Sequence, residues 1–250
     1  AASDVYKRQP YRILLAAICF PLFAHAQIGE HRNTLSIGGN AGYNMTTVRF
    51  TPKVPQGMKG GMNMGFTARY TVEKYFATIA SIQAEVNFSQ LGWKEDIRDM
   101  SNQPVINTVT KQAEKYERTI NYVQIPFFAH LAWGRENKGF NFFVNAGPQL
   151  GIYVSESTKS NFDWATRNMD DRSNKVVAQD TMSVENKMDY GIAAGAGVEW
   201  ATKKLGRFTL EARYYYGLGN IYGDSKRDYF GSSNYGTITI KLGWLVDIMK

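Results

Sequence analysis

The sequence predicts an all-β fold, an eight-stranded antiparallel up-and-down transmembrane β-barrel preceded by a signal-peptide helix. Three observations predict it. Eight runs alternate apolar and polar side chains, and the connections between them are short, then long, in turn. The apolar face of these runs also carries nearly all the Phe and Trp, while the other face is small, polar or charged. Alternation with period 2 is the signature of a strand. Hairpins that all return through one bilayer give short turns on one side and long loops on the other. A soluble eight-stranded barrel would have to fit its bulky residues inside a narrow tube, so this polarity places the large residues outward, against lipid.

The front end reads as an export signal. Ala1 to Gln9 do not resemble a natural start, but from Pro10 onward Arg12 supplies a positive n-region and Ile13 to Phe23 an apolar h-region of eleven residues. Ala24-His25-Ala26 then forms an A-x-A site. Eleven apolar residues are too few for a membrane-crossing helix, which needs about 20. Cleavage is expected after Ala26, with Gln27 the first mature residue, so that 1–26 is leader and 27–250 the barrel domain. The one cysteine, Cys19, lies inside the h-region. Bulky Ile18 before it argues against a lipoprotein, and the mature chain then has no thiol for disulfides, zinc or nucleophilic catalysis.

The elements follow in order. The first run puts Leu35, Ile37, Gly39, Ala41 and Tyr43 on the lipid face and Ser36, Gly38, Asn40, Gly42 and Asn44 inside. The second places Met62, Met64, Phe66, Ala68, Tyr70 and Val72 outward against Asn63, Thr67, Arg69 and Thr71, and turns at Glu73-Lys74-Tyr75. The third sets Ala80, Ile82, Ala84, Val86 and Phe88 against Ser81, Gln83, Glu85, Asn87 and Ser89. In the fourth, Val123 to Trp133 face out in alternation while Tyr122, Gln124, Phe128 and His130 face in. Its Pro126 lacks a ladder donor and suits an edge or a bulge. After Gly134 to Lys138, the fifth run sets Phe140, Phe142, Val144, Ala146, Leu150 and Ile152 against Asn141, Asn145 and Gln149. The sixth sets Tyr190, Ile192, Ala194, Ala196, Val198 and Trp200 against Gly191, Gly195, Gly197 and Glu199, the glycines making room for Arg and Tyr across the lumen. After Thr202 to Gly206, the seventh sets Phe208, Leu210, Ala212, Tyr214 and Tyr216 against Thr209, Glu211 and Arg213. The eighth sets Ile238, Ile240, Leu242, Trp244 and Val246 against Thr237, Thr239 and Lys241.

Connections near Thr46 to Gly60, Lys94 to Lys115, Glu156 to Lys187 and Gly219 to Asn234 are long and polar, and are expected to be four mobile external loops. Tyr43, Tyr70, Trp133, Trp200 and Tyr216, near run ends, suit two interfacial girdles. Closure into a barrel would also remove the edges of so hydrophobic a sheet.

Charge and composition exclude several classes. The net charge of +7 becomes +5 once Asp4, Lys7, Arg8 and Arg12 leave with the leader. The remaining cations are scattered, with no basic stripe interleaved with aromatics, which argues against nucleic acid and for attraction to outer-membrane lipid and lipopolysaccharide. The mean hydropathy of −0.36 excludes a helical-bundle membrane protein.

The candidate site is the lumen. Arg69, Arg213 and Lys241 face Glu85, Glu199 and Glu211, three charges of each sign. Confined charge is costly unless paired, so equal numbers predict a neutral network filling a tube too narrow to conduct. If strands seven and eight pair symmetrically about Lys226, Glu211 falls opposite Lys241 as a cross-strand ion pair. An outer-membrane hydrolase or acyltransferase would want a His with a carboxylate or Ser at the outer rim. Only His31, before strand one, and His130, near the other end of the lumen, remain in the mature chain. The spacing of Asp163, Asp170, Asp171 and Asp180 does not match a calcium loop. No catalytic residue, metal site or cofactor is therefore expected.

At these runs the chain resembles the PorT-like outer-membrane β-barrel proteins of Bacteroidetes-type bacteria. The resemblance rests on Ser36-Ile37-Gly38-Gly39-Asn40, the hairpin from Gly65 to Trp93, NYVQIPFF from Asn121 to Phe128, and NAGPQLGIYVS from Asn145 to Ser155. It continues through GIAAGAGVEW from Gly191 to Trp200 and RYYYGLGNI from Arg213 to Ile221. It implies export across the inner membrane, insertion by the barrel-insertion machinery and residence in the outer membrane. It implies no catalytic residues. A structural or surface-interaction role is expected, with an accessory part in a secretion or transport machine, or a narrow porin-like channel, as alternatives. The chain departs from the family pattern at its end, Asp247-Ile248-Met249-Lys250, where an aromatic residue is usual and Trp244 would have to substitute.

Overall fold

A computed structural model describes residues 29–136, 138–202, 204–223 and 228–249. The expected leader with its cleavage residues Ala24, Ala26 and Gln27, and the midpoint Lys226, lie outside the described residues. Among those described, eight long strands form the wall: β1 (Glu30–Thr51), β2 (Lys59–Tyr75), β3 (Thr78–Glu95), β4 (Tyr116–Gly134), β5 (Gly139–Ser160), β6 (Met188–Thr202), β7 (Gly206–Gly217) and β8 (Ser232–Met249). Each pairs with its sequence neighbour, and β1 pairs antiparallel with β8 from Leu35↔Met249 to Thr51↔Ser232, so the sheet closes. A two-residue strand, Gln56–Gly57, adds to the outer end of β3.

The membrane part of the wall follows the expected parity. Phe66, Phe127 and Leu210 are 76%, 48% and 47% exposed and point away from the lumen, whereas Asn40, Gln83, Glu85 and Arg213 are buried inside. Trp133, Phe140, Trp200, Phe208 and Trp244 ring the short-turn end, with Phe140 stacked on Trp200 at 6.1 Å and Trp200 tilted on Phe208 at 6.0 Å.

Four details correct the sequence reading. The first turn is Phe76-Ala77 and not Glu73-Lys74-Tyr75, because a bulge between Thr71 and Glu73 breaks the alternation at Val72 and the strand then resumes. Pro126 is neither at an edge nor dominant in a bulge. It pairs with Gln149 of β5, but on its other side the β3–β4 ladder skips Glu85 and Val86 while keeping register, as a missing donor requires. The last strand continues to Met249, so Asp247 belongs to the wall and faces inward.

The fourth correction is the largest. The strands do not stop where the apolar-out pattern stops. A tilted crossing needs roughly 9–11 residues, yet β1 and β5 each have 22. Beyond the hydrocarbon the parity continues but the polarity inverts. Val48, Phe50, Leu91, Trp93, Tyr116 and Ile120 point inward and are buried, while Thr47, Arg49, Lys94 and Glu117 point outward. Water has replaced lipid on the outside, so the apolar side chains turn to the axis.

Candidate functional site

The six charged residues expected in the lumen all lie there, on β2, β3, β6, β7 and β8. In the middle of the tube Glu85 of β3 is the hub. It accepts both arms of the Arg213 guanidinium, at 2.9 and 3.0 Å, from β7 on the opposite side of the ring. It also accepts Lys241 Nζ at 2.6 Å, Gln83 Nε2 at 2.7 Å and Asn87 Nδ2 at 2.7 Å. Glu211 accepts from Arg213 at 2.6 and 3.1 Å, and the Arg213 guanidinium carbon stands 4.4 Å from the centre of the Phe128 ring. Towards the short-turn end a second group forms, in which Arg69 of β2 reaches across to Glu199 of β6 and also donates to Gln83 at 2.9 Å. Since β2 and β6, like β3 and β7, are four strands apart in a ring of eight, both ion pairs cross the full width of the lumen.

The expected Glu211–Lys241 ion pair needs correcting. The register is as anticipated, Glu211 directly opposite Lys241. The Lys241 ammonium, however, bonds Glu85 across the lumen, while Glu211 pairs along its own strand with Arg213. Arg213 donates along two edges, to Glu211 on one and to Glu85 on the other.

Two members were missed. Arg207 joins Glu199 at 3.2 Å and Asp247 at 3.4 Å, and Asp247 accepts from Ser36 at 2.7 Å. Both carry inward parity, continuing Thr209-Glu211-Arg213 backward and Thr239-Lys241 forward. The signal was lost by ending the runs at Phe208 and Val246. Of the β6 glycines, Gly191 leaves room for Tyr215, as expected for a tyrosine. Gly195 and Gly197 make room for Glu211 and Phe143, not for an arginine. His130 is buried against Phe143, ring centres 4.8 Å apart, and His31 is exposed, 3.7 Å from Glu73.

Above the charged layers the polar hydrogen bonds continue through Asn44, which donates to Ser89 at 2.8 Å and accepts from Thr239 at 2.7 Å. The tube then closes under an apolar roof. Phe50 packs edge-on against Trp93 at 5.2 Å and against Phe230 at 4.9 Å, and Tyr222 stacks on Phe230 at 5.6 Å. The external segments, expected to be mobile, are instead tied together. Ser173 N and Oγ both donate to Arg98 O (2.9 and 2.8 Å), Asn174 Nδ2 to Lys53 O (3.0 Å) and Asn186 Nδ2 to Tyr222 O (2.8 Å). Inside this crown Glu114 binds Arg172 at 2.8 Å with both side chains out of solvent. Two of the four loop-three aspartates make side-chain contacts, Asp171 with Asn168 at 2.6 Å and Asp180 with Arg167 at 3.7 Å, while Asp163 and Asp170 accept through their backbone carbonyls from Thr166 and Lys175.

A family model described as an outer membrane protein beta-barrel domain matches residues 25–223. The chain belongs to that family. It is a bacterial outer-membrane protein, and the short turns lie on the periplasmic side, as in other barrels of this membrane. No curated protein sequence matches it. Among solved structures it is similar to OprG from Pseudomonas aeruginosa, at 12% identity over 87% of this chain and 98% of that one, with a TM-score of 0.47. It is also similar to Neisserial surface protein A, at 11% identity over 86% and 97%, TM-score 0.41, and to Ail of Yersinia pestis, at 12% identity over 86% and 100%, TM-score 0.33.

In this outer-membrane barrel the crown holds a pH-sensitive pair of carboxyls, Glu95 and Asp180. Burial, and then the Asp180 carboxyl beside it, push Glu95 up to about 8, and burial raises Asp180 as well, although Arg172 and Arg167 oppose the rise. Gln179 Nε2 donates to Glu95 at 2.7 Å. A carboxyl raised on folding keeps its proton in the native state while the unfolded chain loses it. The folded crown is therefore penalised progressively as pH rises from about 4.5 to about 8. The melting temperature of the crown should fall over that window, and Glu95→Gln, which retains a donor but cannot ionise, should flatten the decline. Amide exchange of residues 161–187 at pH 5, 7 and 9 measures it. A slope unchanged by the substitution would assign the effect elsewhere.

Proposed function

We propose that this chain is a PorT-like, non-enzymatic member of its family, a closed outer-membrane barrel that serves as a rigid platform for a folded external crown making surface contacts. The observation that carries the reading is the crown itself. Flexible loops would suffice to shield a membrane, but here four segments share an apolar core and interlocking hydrogen bonds, an arrangement that fixes the shape of a surface. The segment between β3 and β4 presents Met100, Val109 and Ile106, which are 86%, 66% and 49% exposed. Large apolar side chains held in water outside the hydrocarbon suit a protein partner. The transverse ion pairs argue against the channel alternative, because an ion entering the tube would have to break Arg213–Glu85 or Arg69–Glu199.

Two measurements test it. Purified protein in planar bilayers should give no discrete conductance steps, and reproducible steps in the wild type would revive the channel. Mild crosslinking on intact cells, followed by co-purification, should capture a surface partner that is lost when 99–111 is replaced by a short Gly-Ser turn. Capture through the periplasmic turns, insensitive to that replacement, would instead favour an accessory part in a secretion or transport machine.

A further inference from the structure

Among the described residues, every buried or half-buried arginine is ion-paired with a carboxylate except one, Arg49. It stands on the outer extension of β1, pointing out of the barrel. Its guanidinium carbon lies 3.7 Å from the centre of the Tyr216 ring, and one Nη donates to Gly217 O at 2.8 Å. Tyr216 belongs to a set of outward tyrosines, with Tyr43, Tyr190 and Tyr214, about half exposed near the outer edge of the lipid-facing wall. Aromatic belts of this kind sit at headgroup level, and the ring holds the cation there.

Beside Arg49 the wall opens. Near Val48 the β1 backbone is satisfied by a side chain: Gln56 Oε1 accepts from Val48 N at 2.9 Å and its Nε2 donates back to Val48 O. The result is a groove of about 360 Å³, lined by Thr47, Arg49, Lys53 and Gln56, with Val48, Phe50 and Val54 behind it, their side chains buried in the core. Among the described residues, no acidic one lines it. Lys53 is exposed, and its ammonium has no partner among the described residues.

We propose that this groove is a binding site for the phosphate of an outer-leaflet glycolipid of the lipid A type. Two cations without carboxylates face one cavity, next to a threonine hydroxyl. One cation is pinned on an aromatic face at the height where outer-leaflet phosphates lie. The fork of Arg49 matches phosphate oxygens, and Lys53 adds a second charge. The cation held on Tyr216 stands beside the lipid-facing wall, so the site favours a membrane-borne phosphate over a dissolved one.

The full chain is reconstituted in nanodiscs of phosphatidylcholine alone, with lipid A, or with dephosphorylated lipid A, and retained lipid is read by native mass spectrometry. The wild type should retain lipid A and not the dephosphorylated form. Lys53→Gln should weaken retention about fivefold, and Arg49→Gln with Lys53→Gln more than tenfold, given the usual worth of a basic side chain near an anionic surface. Lys159→Gln, which removes an exposed charge at the outer end of β5, four strands from β1, should change little. Heat-modifiable migration monitors folding, and Lys53→Gln keeps the test decisive if the Arg49 variant folds poorly. Equal loss in Lys159→Gln would mean diffuse charge attraction and would overturn the site. Unchanged retention in the double variant, or displacement by inorganic phosphate at millimolar concentration, would overturn it as well.

Discussion

Replacing Glu85 with Ala lowers the stability of the barrel by about 3–5 kcal/mol, the usual cost of removing one partner of a buried ion pair. Glu85 compensates two cations at once, Arg213 and Lys241, and it also accepts from Gln83 and Asn87. Without it Arg213 keeps Glu211, but the Lys241 ammonium has no carboxylate within bonding distance in a lumen screened from water. Glu85→Gln should cost less than Ala because the amide refills the space and still accepts. Urea unfolding in detergent micelles, followed by tryptophan fluorescence, gives the difference. The geometry also fixes which couplings appear. A double-mutant cycle between Glu85 and Lys241 should be strongly non-additive, whereas Glu211 and Lys241, opposite in register but bonded elsewhere, should be nearly additive. The reverse ranking would mean that the register pair and not the transverse pair holds the lumen together.

The contrast between those two cycles marks where sequence reasoning runs out. Strand parity is a local property, so the inward direction of Arg69, Glu85, Glu199, Glu211, Arg213 and Lys241 could be read directly. Hairpin register could be read too, because a short sequence separation leaves few alternatives, and Glu211↔Lys241 follows from it. Contacts across the tube depend on stagger around the whole ring and on side-chain length. Nothing local tells Lys241 to pass over Glu211 for Glu85. The same holds for Arg69 and Glu199, which are 130 residues apart in sequence.

The crown escaped for a different reason. The rule that apolar means outward belongs to the lipid, and it expires at the edge of the hydrocarbon. Along β1 the inward residues run Asn40, Asn44, Thr46 and then Val48 and Phe50; along β3 they run Glu85, Asn87, Ser89 and then Leu91 and Trp93. Scored against a single rule, the outer extensions look like a loss of strand pattern and are assigned to loops. Scored against a rule that inverts at the interface, they remain strands, and the inversion itself places the headgroup level near Thr46 and Ser89. Arg49 on Tyr216 falls at that level, where a cation resting on an aromatic ring is expected.

Trp93→Ala should uncouple the crown from the barrel. Trp93 is fully buried, meets Phe50 edge-on and has its ring centre 5.6 Å from the Arg118 guanidinium carbon, so its removal opens a cavity in the apolar packing that joins the four external segments to the strand ends. Large-to-small changes of this kind cost about 3–5 kcal/mol. In the membrane zone the wall is held by closed ladders and transverse ion pairs that Trp93 does not touch, and there the loss should not propagate. Heat-modifiable migration should therefore persist while the crown loosens: trypsin should reach Arg167, Arg172 and Lys175 in the variant but not in the wild type, with cleavage followed by mass spectrometry. Arg172 is the sharpest reporter, because its bond to Glu114 is sealed inside the crown. If the variant lost its barrel migration together with its crown, the two halves would form one cooperative unit, and inversion of polarity at the interface would not mark a boundary in stability.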